Sequence, residues 1–220
     1  MGTWSLNNLH RDASTVPALE VYINQNVLCG ILVGSVLLSL SYPILHRIYL
    51  NHSAAYRDDL TPEQRVVVIQ HTIEALFFIG SFLPVTYLLL SFNFESQSIE
   101  ELGPKVTAAT IFLGLVVLLY SFELNSRFAS PRSLIVVHHV CTGLIGVYCI
   151  LVFSEANAIT ASLLVYFISF EAIVFVGLVL YRLCPADRRT SRILFTGMLI
   201  FGFTRPLQLM AVFFSLAVNW

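Results

Sequence analysis

Six apolar stretches recur along this chain, at Val27–Tyr49, Val66–Phe92, Val106–Leu124, Ser133–Phe153, Ala158–Leu183 and Ile193–Val218. Each is close to the ~20 residues that carry a helix across a bilayer. A backbone in hydrocarbon must satisfy its own N–H and C=O groups, which leaves helices or closed barrels. The alternating pattern of barrel strands is absent from these runs. The chain therefore reads as an all-α polytopic membrane protein with six transmembrane helices forming one domain over residues 27–220, preceded by a polar arm, residues 1–26, either amphipathic or disordered. Composition agrees, with 57% hydrophobic and 11% charged residues and a mean hydropathy of +0.80. A soluble domain of this length is not so apolar.

A net charge of −1 gives no basic field for nucleic acid. Cys29, Cys141, Cys149 and Cys184 show no metal spacing such as CxxC, and three of them lie in apolar segments, where inert thiols rather than a disulfide scaffold are expected. Leu6 breaks the myristoylation pattern that Gly2 begins, and the first apolar run is too long for a signal peptide. Thr61-Pro62-Glu63-Gln64 reads as a helix start with Thr61 as N-cap and Gln64 closing a capping box. Pro43 and Pro84 predict bends in the first two spans. Arg47, Arg57, Arg65, Arg127, Arg132, Arg182, Arg188, Arg189 and Arg192 fall in three alternate connections, whereas the other side has Arg11 and Lys105. The positive-inside rule puts those three connections in the cytoplasm and both termini opposite. The Asn51-His52-Ser53 sequon lies too near the membrane for its use to be expected.

Ionisable groups at bilayer depth are costly and often mark function. His138 and His139 stand side by side inside the fourth span, with Thr142 within a turn of both. Neighbouring helical residues point about 100° apart, so one ring faces a cavity while the other bonds a neighbouring helix. A neutral imidazole in a dry site is both base and nucleophile; the competing reading is two histidines tied into interhelical hydrogen bonds. His71 and Glu74 share a helix face with Gln70 and form either a substrate-binding group or a self-paired patch. Glu123 and Arg127, four residues apart, are expected as a structural ion pair. Glu171 and Arg205 each lack a partner within their own span. They either meet across helices, or Arg205 holds an anionic lipid group. Metal binding is not expected: three or four His and carboxylate ligands could converge across helices, but no HxxH or HxxxH spacing supports it.

The order of Gln70-His71, Glu123, His138-His139 with Thr142, and the late Arg205 resembles the TLC (TRAM/Lag1/CLN8) family over most of the chain. The resemblance implies a six-helix barrel around a lipid-accessible cavity. In its ceramide synthase branch it implies acyl transfer from acyl-CoA, with His138 or His139 as base or transient acyl acceptor. That branch carries His-Asp and Asp-Asp pairs in the next helix, where this chain reads YFISFEAIVF with Glu171 as its acid. The chain is thus more similar to the smaller TLC-domain proteins. The resemblance also orients the termini towards the cytosol, opposite to the arginine count.

On this basis the expected activity is acyl transfer or membrane lipid homeostasis through the histidine pair, with His71, Glu74, Thr142, Glu171 and Arg205 binding substrate. The alternative is a non-enzymatic lipid sensor, cargo receptor or translocon-associated protein. Membrane lipids are the expected partners, with acyl-CoA as a substrate, a sphingoid base or phospholipid as acceptor and no bound cofactor. A homodimer is a candidate assembly and the endoplasmic reticulum the expected membrane.

Overall fold

The computed structural model describes residues 16–92, 99–126, 133–151, 155–185 and 187–218. Within them lie helices α1 (Val16–His52), α2 (Pro62–Ser91), α3 (Ile99–Ser126), α4 (Ser133–Leu151), α5 (Glu155–Ser169), α6 (Ala172–Leu183) and α7 (Arg188–Val218), and no strand. A π-helical turn, Ala55–Asp59, precedes α2. Among the described residues, five helical stretches are long and apolar enough to cross a membrane: those within α1, α2, α3 and α7, and α5 with α6 counted together. Helix α1 starts at Val16, so the second part of the expected polar arm is helical; the first part lies outside the described residues.

Of these five, the stretch in α3 is the most enclosed, with half of its most apolar part buried, against 11% for α1 and 17% for α7. It packs against α1, α2, α4 and α5, while α6 joins α2 to α7. Phe78, Val85, Leu113, Val116, Val165, Ile168 and Phe175 form the centre of the core. Outside, α1 exposes Leu28, Leu32, Val36, Leu40 and Ile44, and α7 exposes Phe195, Met198, Phe203, Met210 and Phe213. In water such faces would be an aggregation liability; against acyl chains they need no partner.

Helix association in a bilayer rests on close packing, because lipid is as apolar as leucine. Glycine supplies that closeness where α6 meets α7: a Cβ on Gly197 would lie 3.1 Å from the Val174 Cα. The start of α2 follows the expected capping box, with the Gln64 N–H donating to Thr61 Oγ1 (3.4 Å) and the Thr61 N–H donating to Gln64 Oε1 (3.0 Å). Pro43 and Pro84 lie inside helices that continue on both sides of them.

The fifth apolar stretch departs from the expected unbroken helix. It is interrupted at Phe170 and Glu171, where the chain turns between α5 and α6. There the Glu171 N–H donates to the Ile168 carbonyl (2.8 Å) and the Ile173 N–H to the Phe170 carbonyl (3.4 Å). These three-residue bonds tighten the chain before α-helical bonding resumes with Phe175 N–H on the Glu171 carbonyl (3.1 Å). Irregular backbone at membrane depth is tolerated only inside protein or a wet cavity, and Glu171 is 3% exposed.

Candidate functional site

Polar side chains from α2, α3, α4, α7 and the α5–α6 junction converge inside the bundle. Gln70, His71 and Glu74 project from one side of α2, as their spacing requires, and all are buried. His71 Nδ1 lies 2.9 Å from Glu74 Oε2, while Gln70 Nε2 donates to Glu74 Oε1 at 3.2 Å. Phe175 of α6 packs on the His71 ring, with centroids 5.5 Å apart.

Helix α3 contributes Tyr120 and Glu123, one turn apart and both buried. Glu123 Oε2 lies 2.7 Å from His139 Nε2 on α4. The His139 ring sits against Tyr120, at a centroid distance of 4.4 Å. A carboxylate at Nε2 favours the proton on that nitrogen and leaves Nδ1 as the basic atom of the neutral ring. The expected partner of Glu123, Arg127, lies outside the described residues. So does the side chain of His138, although its backbone is part of α4. Thr142 is half-buried a turn beyond His139.

At the α5–α6 junction, Glu171 Oε1 meets Arg205 Nη2 at 2.7 Å. Arg205 Nη1 also donates to Gln208 Oε1 (2.8 Å), Gln208 Nε2 lies 3.5 Å from Glu171 Oε1, and the guanidinium stands 4.3 Å over the Phe201 ring. One oxygen of Glu171 is thereby held from two positions of α7.

Sequence reasoning did not select Tyr120 and Gln208 as site residues. The available signal was weak, a polar group one helical turn from Glu123 in one case and from Arg205 in the other.

A cavity of about 400 Å³ lies on the other side of α2 and α3, where α1 crosses them. It is lined by Gly34, Leu38, Ile73, Phe77, Leu115 and Leu119 among others. Ile73 and Leu119 are the sequence neighbours of Glu74 and Tyr120, so the apolar cavity and the polar cluster flank the same stretch of these helices.

No protein-family model matches the chain. No curated protein is significantly similar to it. No solved structure matches it either.

Proposed function

We propose that the chain is a membrane enzyme acting on lipids by acyl transfer, with His139 as the reacting base and Glu123 as the group that aims it. The supporting observation is the 2.7 Å contact between them, at side chains 7% and 5% exposed. An imidazole oriented by a carboxylate can remove a proton from an attacking hydroxyl or amine, or accept an acyl group itself. In an apolar interior, that ring and the tied Glu171–Arg205 pair are preorganised dipoles and charges, the environment that stabilises developing charge best. Arg205 and His71 serve the polar or anionic head of the substrate.

With α4 taken as a sixth span, we read the bundle as TLC-type, and the resemblance carried by Gln70-His71, Glu123, His138-His139 and Arg205 supplies the substrate class. Membrane lipid, acyl-CoA and the endoplasmic reticulum enter through that resemblance alone. The test is a lipidome of cells carrying His139→Ala in place of the natural chain, together with intact mass of the purified protein. Altered acyl-lipid profiles and an acyl adduct that disappears with His139 support the reading. A normal lipidome from folded His139→Ala protein defeats it.

A second reading, lipid carriage without turnover, is favoured by the cavity between α1, α2 and α3, which has room and lining for an acyl chain. Intact lipid that co-purifies and is lost on Gly34→Leu, but survives His139→Ala, distinguishes it.

A further inference from the structure

The ligand atoms of His71, Glu74 and Glu123 lie within 4.8 Å of one another, and all three side chains are buried. Linear spacing along the chain gives no hint of this, because Glu123 arrives from α3. A buried imidazole and two buried carboxylates converging inside an apolar bundle form a nitrogen–oxygen donor set that one divalent cation can neutralise at a single point.

We infer that His71, Glu74 and Glu123 bind a divalent first-row metal ion, with Gln70 and His139 as the outer partners that hold the two carboxylates in position. One nitrogen and two carboxylate oxygens without thiolate suit Zn²⁺, Fe²⁺ or Mn²⁺ and disfavour the softer Cu⁺. Three protein ligands leave a coordination position open, the arrangement of a catalytic rather than a purely structural zinc site. The outer partners are already in place: Gln70 Nε2 is 3.2 Å from Glu74 Oε1 and His139 Nε2 is 2.7 Å from Glu123 Oε2. Such contacts orient ligating carboxylates. Around a tetrahedral ion, nitrogen and oxygen ligands stand roughly 3.4 Å apart. Side-chain movements on the order of 1 Å therefore close the site. The inference is independent of the acyl-transfer reading, since it concerns binding alone.

The test uses the full-length chain in detergent micelles with any affinity tag removed. The protein is stripped with chelator, incubated with Zn²⁺ and desalted, and its metal is counted by inductively coupled plasma mass spectrometry. About one Zn²⁺ per chain is expected, with His139→Ala weakening affinity about 10–100-fold. The double variant His71→Ala/Glu74→Gln should fall at least about tenfold in content. Ser39→Ala, on the exposed side of α1, should keep the wild-type content. Because removing two buried polar groups can unfold the chain, a second measurement uses the unaltered protein. Co²⁺ in place of Zn²⁺ should give the intense visible absorption of a four-coordinate nitrogen–oxygen site. Wild-type protein that retains no more Zn²⁺ than the double variant, or takes up Co²⁺ without that absorption, overturns the inference and leaves shared protons as what holds the carboxylates together. Neither readout involves lipid, so loss of the acyl-transfer reading leaves this result untouched, and the converse holds.

Discussion

Glu123 of α3 and His139 of α4 face each other at 2.7 Å inside the bundle, with the Tyr120 ring closing one side of the imidazole. The carboxylate fixes both the tautomer and the direction of the ring. Glu123→Gln keeps the size of the side chain and removes the charge. We expect lipid turnover to fall by up to ~10⁴-fold, because the amide no longer holds the basic tautomer, a loss in the range of the ~10²–10⁴-fold expected for removing a general base in His139→Ala. Rates in reconstituted vesicles, with helicity checked by circular dichroism, measure both. Equal rates for wild type and Glu123→Gln would remove the orienting role.

The Glu171–Arg205 pair should dominate stability at the α5–α6 junction. Removing one partner of a buried ion pair costs about 3–5 kcal/mol, because it strands a charge, whereas replacing both by apolar residues is often close to neutral. Arg205→Leu should therefore lower resistance to denaturing detergent strongly, and Glu171→Leu/Arg205→Leu should recover most of the loss. A double variant as weak as the single one would show that the pair does more than neutralise itself.

Gly197 sets how closely α7 approaches α6. Its missing Cβ would meet the Val174 backbone at 3.1 Å, and backbone yields less readily than a side-chain tip. Gly197→Ala should cost about 1–3 kcal/mol through overpacking. Because the shift carries Arg205 away from Glu171, the penalty should shrink in the Glu171→Leu/Arg205→Leu background. Thermal midpoints of the four proteins complete that cycle.

Outside the spans, Tyr56 is fully buried, its hydroxyl 2.7 Å from His46 Nδ1 and its ring stacked on Tyr49. Burial first, then the neighbouring Tyr42, pushes its phenol up to about 12 from an ordinary value of 10.0. The group is neutral in both folded and unfolded chains below pH 10, so its contribution to stability is complete there. It declines as the pH rises from 10 towards 12, where the unfolded chain gives up the proton first. Phenolate absorbance should show a late step near pH 12 that Tyr56→Phe removes; a titration unchanged by Tyr56→Phe would show that the phenol is ordinary.

What could be read along the chain was local. The Thr61–Gln64 capping box and the one-sided grouping of Gln70, His71 and Glu74 depend on residues three or four apart, and both were legible. The apolar runs announced helices for the same reason. Pairings between helices were not legible. Nothing near Glu123 in sequence names His139 as its partner, and the nearby Arg127 drew the expectation of an ion pair. The convergence of His71, Glu74 and Glu123 was invisible to ligand-spacing rules for the same reason. The interruption at Phe170 and Glu171 carries no glycine or proline, the residues that normally announce a break.

That interruption gives the bundle a soft joint at its most highly charged level. Helix α6 packs on α2 and on α7, with Gly197 at the latter contact, while α5 packs on α2, α3 and α7. Flexure at the joint would shift Glu171 relative to Arg205 of α7, loosening the ion pair that closes the ionic centre. Amide hydrogens of Phe170 to Ile173 should then exchange faster than those elsewhere in the Ala158–Leu183 span. Uniform protection across that span would make the centre a sealed vault rather than a gated one.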